Sequence, residues 1–190
     1  GFGKDGAIGK INAIKFAKIS NIPFLGICFG MQLAIIESMK SLKGFEKASS
    51  TEFGKTNLPI ISMMHEWQKG KKIYKQDLEN LGGSMRLGSY EAILKKGTLI
   101  YKVYKKHSIY ERHRHRYEVN YNYIQSIKKS GVTLSGFSPD GKLVEIIERK
   151  NHPWFVGVQF HPELKSTPFD PHPIFNSFIS AVLKHKRVSA

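Results

Sequence analysis

The segment that most limits the possible folds is "NIPFLGICFGMQ", residues 21–32, where a short apolar run meets a helical pattern. Residues 24–27 have the length and composition of a buried strand, and residues 31–42 are predicted to form a helix. A buried strand that leads directly into a helix is typical of α/β proteins, in which helices cover a sheet. Between Gly26 and Gly30 stands Cys28, the single cysteine of 190 residues.

The pattern Gly-x-Cys-x-Gly between a strand and a helix predicts a nucleophile elbow. Such a turn is tight, so the residues around the nucleophile must be small, and the thiol is held at the mouth of a site. We expect the helix N-terminus and an imidazole to lower the pKa of Cys28 below the usual value of about 8.5. The alternative is a buried cysteine that packs as a small hydrophobic residue.

A candidate base follows from "VGVQFHPE", residues 156–163. His161 stands at the end of a predicted strand, and Glu163 comes two positions later. Residues two apart in an extended chain point the same way, so Glu163 could orient the imidazole while His161 takes the thiol proton. A histidine at a strand end is more often a surface residue, but together with the elbow it predicts a Cys28–His161–Glu163 triad.

Two further segments suggest anion binding. The glycine-rich "GFGKDG", residues 1–6, could present backbone N–H groups, and we expect the amides of Gly1 and Phe29 to bind an oxyanion. The run "ERHRHRYEVN", residues 111–120, has five consecutive basic residues from Arg112 to Arg116. This run predicts either a patch for nucleic acid or phosphate, or a solvated strand face.

Composition narrows the choice of partners. The chain has 30 Lys and Arg against 15 Asp and Glu, a net charge of +15, which would attract nucleic acid, nucleotides or an acidic partner. The lysines are scattered over many segments, which favours ordinary solvated faces, and no RNA-binding signature is present. The histidines form no H-E-x-x-H pattern, and one cysteine excludes a Cys-rich zinc site, so we expect no metal.

The rest of the pattern predicts one α/β domain of three layers. No apolar run is long enough for a membrane span and no signal peptide is visible, and the single cysteine favours a reducing, cytoplasmic location. The chain is predicted to contain helices at 5–21, 121–129 and 174–183, strands at 59–64, 85–94, 133–137, 143–147 and 155–160, a surface loop at 68–82, and a helix or strand at 99–104.

At this point the motifs "GICFGMQ" and "QFHPE" resemble those of the class I, triad-type glutamine amidotransferases. The segments "GFGKDG", "STEF", "LGGSMRLG", "RHRHRYEVN", "LVEIIE" and "NHPWFVGVQFHPE" resemble, in order, those of CTP synthase glutaminase domains. The elbow and H-P-E also occur in amidotransferases of GMP and carbamoyl phosphate synthesis. The resemblance implies an α/β, flavodoxin-like fold of three layers with a mostly parallel central sheet.

The family's first loop reads P-G-G-F-G, and this chain begins at its second glycine. We therefore expect residues 1–190 to be a glutaminase domain from a longer chain, with the first strands of the sheet before Gly1.

The resemblance also implies a reaction. Cys28 attacks the side-chain amide of L-glutamine, His161 and Glu163 move the proton, and water hydrolyses the resulting glutamyl thioester. A glutamate suits the substrate's ammonium and an arginine suits its carboxylate. The implied glutamine-binding residues are Gly1, Phe29, Gly30, Met31, Gln32, Glu52 and Arg116.

In this family, ammonia passes to a separate synthetase domain that aminates UTP to CTP with ATP and magnesium. GTP is the allosteric activator, and Phe2 and Arg86 are candidates for its surface. We expect no cofactor in the glutaminase domain, no membrane or nucleic-acid partner, and a homo-tetrameric full-length enzyme. The alternatives are another class I amidotransferase, a peptidase of the same fold, or a basic nucleotide- or RNA-binding domain with an inert cysteine.

Overall fold

The structure, a computed structural model, describes residues 3–63, 66–69, 72–75 and 85–188. Short 3-10 turns lie at Thr51–Phe53, Tyr121–Tyr123 and Pro162–Leu164. The helices are α1 (Ala7–Ile19), α2 (Phe29–Lys40), α3 (Leu99–Tyr104), α4 (Ile124–Lys129) and α5 (Pro173–Val188). The strands are β1 (Phe24–Ile27), β2 (Ser49–Ser50), β3 (Pro59–Met63), β4 (Glu66–Lys69), β5 (Lys72–Lys75), β6 (Arg86–Leu94), β7 (Ser108–His115), β8 (Tyr117–Val119), β9 (Thr133–Phe137), β10 (Val144–Glu148) and β11 (Phe155–Val158).

The main sheet has the strand order β1-β11-β10-β9-β6-β7. Strand β1 runs parallel to β11, whereas the other neighbours in this described sheet pair antiparallel. The expectation of a mostly parallel sheet is therefore wrong for the described strands, which form a mixed sheet. The reason is the short connections between neighbours such as β9 and β10, because a short turn can only return the chain antiparallel.

Helices cover both faces of this sheet, as the three-layer prediction requires. Ile147 and Phe155 pack in a core with α1, α2 and α4, while Ile146 and Val156 pack in a second core with α3 and α5. Successive side chains of β10 and β11 point to opposite faces of the sheet and thus pack into two separate cores. The α/β fold with helices on both sides is confirmed.

Helix α2 crosses very close to the sheet at Gly157. A Cβ atom at this position would lie 2.8 Å from Cγ of Met31 and 2.8 Å from Cγ1 of Ile147. Glycine is therefore required here, and the close approach fixes the start of α2 against β11.

Several predicted elements have the expected position. The strand at 24–27 is confirmed with the same bounds, and 99–104 is a helix whose first turn is capped by Thr98. The predicted loop at 68–82 is partly wrong, because β4 and β5 pair as an antiparallel hairpin. The rest of that segment lies outside the described residues. Within the part of the chain that is described, no helix combines the length and the apolarity needed to cross a membrane.

Candidate active site

Cys28 occupies a sharp strand-to-helix turn between β1 and α2. Its φ of 51° and ψ of −102° are unusual for a residue with a side chain, and its N–H donates to the Val158 carbonyl at 2.7 Å. A Cβ atom at Gly26 would lie 2.8 Å from the Gly30 carbonyl carbon, whereas one at Gly30 would meet nothing within 4 Å. The elbow is present as predicted, and Gly26 is the glycine that its backbone requires.

The thiol of Cys28 is buried and neutral. Burial, with smaller contributions from the carboxylates of Glu118, Glu163 and Glu52, raises its pKa to about 12. The N–H of Phe29 hydrogen-bonds the sulfur and acts in the opposite direction, but it does not compensate for the loss of solvent. The prediction of a lowered pKa is therefore wrong for this state, and a thiolate at this position would need a base to take its proton.

His161 has one ring nitrogen that is hydrogen-bonded and one that has no partner. Its Nδ1 lies 2.6 Å from Oε1 of Glu163, as the spacing predicts. Its Nε2 is buried and has no hydrogen-bond partner. Cys28 and His161 leave the adjacent parallel strands β1 and β11 at their carboxyl ends, where Ile27 pairs with Val158. This edge of a sheet is the usual place for a binding site in α/β proteins.

Two candidate substrate-binding groups lie near the phenol of Tyr117. Its pKa is raised by burial and by Glu52, and Arg116 acts in the opposite direction, so both charges are close to this ring. Oε1 of Glu52 accepts a hydrogen bond from the Gly3 N–H at 2.6 Å. Nε of Arg116 is buried without a partner. The negative charge of Glu52 and the positive charge of Arg116 thus lie in the same region of the fold.

The segment that follows Cys28 is mostly buried. The side chain of Met31 lies in the core, so only the backbone of Met31 could face a substrate. Phe29 packs edge-on against Phe53. Gly30 leaves open space, which agrees with a position beside a ligand. Gly1 and Phe2, two of the predicted site residues, lie outside the described residues.

Gln159 contacts Cys28, and the sequence analysis did not single it out, although it stands within "QFHPE". Its Nε2 lies 3.6 Å from Cys28 Sγ, and its Oε1 accepts a hydrogen bond from Gln32 Nε2 at 3.1 Å. Gln32 Nε2 also donates to the Tyr117 carbonyl at 2.8 Å. The sequence signal for this residue was one polar side chain within the apolar run "FVGVQF".

The prediction that Arg86 belongs to an effector surface is wrong. Arg86 is 1% exposed, with Nη2 at 2.6 Å from Oε1 of Glu145 and Nη1 at 3.2 Å from Oε1 of Glu118. Its guanidinium also lies over the ring of Tyr90 at 4.5 Å. The carboxylates from β8 and β10 explain why a charged residue is buried at this position.

The basic run of β7 is divided between the interior and the surface. His113 and His115 are buried and share a 2.8 Å contact between Nδ1 and Nε2, while Arg112 and Arg114 are exposed. Burial and the neighbouring Arg86 hold the pKa of each histidine well below its usual value. The run is therefore neither a continuous cationic patch nor a fully solvated face.

We call Arg86, His113, His115, Glu118 and Glu145 the buried ion network. Burial outweighs the attraction of Arg86 and raises the pKa of Glu118 to about 8. Among the described residues, no group of three or more His, Cys, Asp or Glu side chains is arranged to hold a metal ion.

This fold and site define a class of protein. The family described as "Glutamine amidotransferase class-I" matches residues 1–181, and the chain belongs to it. Within that class, the chain is 53% identical to CTP synthase of Paramagnetospirillum magneticum over 189 residues, and 58% identical to that of Pelagibacter ubique over 187 residues. These alignments cover 99% and 98% of this chain but 35% of each relative, so the chain spans about a third of their length.

A solved structure supports the same assignment. "Trypanosoma brucei CTPS - glutaminase domain with bound acivicin" matches with a TM-score of 0.85 and 34% identity, covering 97% of this chain and 69% of that one. A Thermoplasma acidophilum protein named for GMP synthase shares the fold, with a TM-score of 0.59 and 19% identity over 98% of this chain and 71% of that one. The resemblance to glutaminase domains of CTP synthases is confirmed.

Proposed function

We propose that this chain hydrolyses L-glutamine through Cys28, His161 and Glu163 and supplies the ammonia to a CTP-forming synthetase domain. The observation that carries this proposal is the arrangement of His161. Its Nδ1 is hydrogen-bonded to Glu163, and its buried Nε2 has no partner at the edge of the sheet where Cys28 follows the neighbouring strand.

The reaction begins with a neutral thiol. His161 Nε2 takes the Cys28 proton as the sulfur attacks the amide carbon of glutamine, and Glu163 stabilises the imidazolium that forms. The Phe29 N–H, which hydrogen-bonds the sulfur, is the proposed first donor to the oxyanion. The Gly1 amide remains the proposed second donor.

Collapse of the tetrahedral intermediate breaks the carbon–nitrogen bond. His161 returns its proton to the leaving nitrogen, which departs as ammonia and leaves a glutamyl thioester. Water then attacks the thioester with His161 again as base, and glutamate and the Cys28 thiol are released. The same imidazole transfers the proton when the thioester forms and again when the thioester is hydrolysed, so its fixed orientation matters in both halves of the reaction.

Glu52 and Arg116 provide the charges for the two ends of the substrate. The Ser50 hydroxyl accepts the N–H of Glu52, which holds this residue in its turn. The unpaired Nε of Arg116 supplies a donor for a carboxylate, and Glu52 supplies an acceptor for an ammonium. The turn that begins α2 completes the proposed glutamine site, with Phe29, Gly30, Met31 and Gln32.

The relatives named CTP synthase support the wider proposal. Residues 1–190 would be the glutaminase domain of a longer, homo-tetrameric enzyme whose synthetase domain uses ATP and magnesium to aminate UTP. GTP would act as activator, with Phe2 at its surface, and the single cysteine fits a reducing cytoplasmic location. Another class I amidotransferase is the remaining enzymatic alternative.

Covalent labelling tests the hydrolytic site directly. We expect 6-diazo-5-oxonorleucine to modify full-length protein at Cys28 with one label per chain and to abolish glutamine hydrolysis. Glu163→Gln should lower kcat by about 100-fold or more, because the imidazole loses its orienting partner. Arg116→Ala should mainly raise KM.

The matched control is Glu46→Gln, an exposed carboxylate in the loop after α2, which should leave turnover unchanged. Label on another residue, or no label, contradicts the proposal. A second measurement tests the synthetase partner. If full-length protein that lacks Cys28 still forms CTP from added ammonia, the chain belongs to a CTP synthase. If protein that hydrolyses glutamine forms no CTP from ammonia, another amidotransferase is favoured.

A further inference from the structure

We infer that Gln159 is a positioning residue that directs an N–H at the sulfur of Cys28 and stabilises its anionic form while the proton is transferred. Gln32 fixes the direction in which Gln159 donates. This inference rests on the proposed function, because it concerns the same nucleophile.

The hydrogen bonds determine which end of each amide faces the sulfur. The Tyr117 carbonyl can only accept, so the Gln32 atom at 2.8 Å from it is the NH₂ nitrogen. The same nitrogen lies 3.1 Å from Gln159, so the Gln159 atom that accepts is its carbonyl oxygen. The Gln159 NH₂ group is then the end at 3.6 Å from Cys28 Sγ. The Tyr117 carbonyl thus determines which end of each amide faces its neighbour in this relay of Gln32 and Gln159.

Burial makes this donor important. Gln159 is 0% exposed and Gln32 is 3% exposed, so water does not compete for these amides. The Gln159 backbone is held as well, because its N–H donates to the Glu145 carbonyl at 2.8 Å. A hydrogen bond to a charged group is worth more in such a low-dielectric position than in water.

The sulfur has two N–H donors, and their roles differ. The Phe29 amide hydrogen-bonds the thiol, but in the proposed reaction it also serves the oxyanion. Gln159 extends from the end of β11, the strand beside the nucleophile, and its donor stays on the sulfur throughout. It therefore compensates for part of the desolvation that keeps the resting thiol neutral.

The test is the pH dependence of alkylation of Cys28 by iodoacetamide in the full-length protein. Gln159→Met removes the donor while keeping a side chain of similar length. We expect alkylation at each pH near neutrality to slow about tenfold, because a smaller fraction of the thiol is ionised without this donor. The kcat for glutamine should fall while KM changes little. Gln159→Glu, which replaces the donor by a carboxylate oxygen, should slow alkylation further.

Gln32→Met is the second variant, because it removes the orienting group and leaves Gln159 in place. It should shift the alkylation profile in the same direction by less, and the double variant should react no more slowly than Gln159→Met alone. An unchanged profile in folded Gln159→Met overturns the inference whatever happens to kcat. If that variant does not fold, an unchanged profile in Gln32→Met overturns it.

The two proposals fail in different ways. If wild-type Cys28 does not react with 6-diazo-5-oxonorleucine, the proposed function fails. If the wild type is labelled normally and the Gln159 and Gln32 variants keep the wild-type alkylation profile, only the role of the relay fails.

Discussion

The elbow around Cys28 and the basic strand β7 are equally conspicuous in the sequence, but they differ in what a short motif can reveal. At the elbow, the strained backbone of Cys28 and the requirement for Gly26 follow from contacts within a few residues. In β7, whether a basic residue is buried beside a carboxylate or exposed to solvent depends on which strands lie beside it. The difference teaches that local backbone geometry can be predicted from a motif, whereas an electrostatic environment cannot.

Strand β7 shows why. Alternation sends His113 and His115 inward and Arg112 and Arg114 outward, as in any half-buried strand. The inward positions then lie beside carboxylates from other strands, Glu145 on β10 and Glu118 on β8.

The largest effect should come from removing the cation of the buried ion network. Arg86→Met removes the guanidinium that hydrogen-bonds the buried carboxyl groups of Glu118 and Glu145, so we expect a loss of about 3–5 kcal/mol in the free energy of unfolding. Urea unfolding measures this change. The matched control is Arg114→Met on the exposed face of β7, which should change stability by less than about 0.5 kcal/mol. Equal effects would contradict the division of the strand into buried and exposed charges.

A smaller effect is expected at the elbow. Gly26→Ala places a methyl group against the backbone of Gly30, so the turn must shift, at a cost of about 1–3 kcal/mol. Iodoacetamide should also react more slowly with Cys28. Gly9→Ala in α1 is the control, since its Cβ meets nothing and alanine favours a helix by up to about 1 kcal/mol over glycine. Retained stability in Gly26→Ala would show that the elbow tolerates a side chain there.

The smallest effect concerns the pH dependence of stability. The pKa of Glu118 is about 8 in the folded protein and 4.5 for an ordinary glutamate, so the folded state keeps a proton that the unfolded state has released. Stability should therefore fall as pH rises from about 6.5 to 8. The buried histidines act in the opposite direction near the lower end of this window, because their lowered pKa values leave them neutral in the folded state while the unfolded state still binds protons near the ordinary pKa of 6.5. Comparison with Glu118→Gln separates the glutamate from this background.

Glu118→Gln removes this titration and should reduce the loss between pH 6.5 and 8 by about 1–2 kcal/mol. Chemical unfolding at a series of pH values measures the slope. Glu46→Gln, at an exposed position, should leave the slope as it is in the wild type. The assignment of the raised pKa to Glu118 would be wrong if the two variants gave the same slope.

The sequence by itself determined the strand at 24–27, the helix that follows it, the elbow and the His161–Glu163 contact. These features depend on local propensity, on the path of a tight turn and on residues two apart in extended chain. The motifs also indicated the amidotransferase family, which the comparison with known proteins confirmed.

Only the tertiary structure decided the raised pKa of Cys28, the burial of Arg86, the mixed sheet and the contact of Gln159 with Cys28. Each of these depends on groups far apart in the chain. Cys28 and Gln159 are 131 residues apart, and Arg86 and Glu145 are 59 apart. Burial and charge pairing depend on which strands become neighbours, and the order of strands in a sheet is set by packing of the whole domain rather than by any single segment.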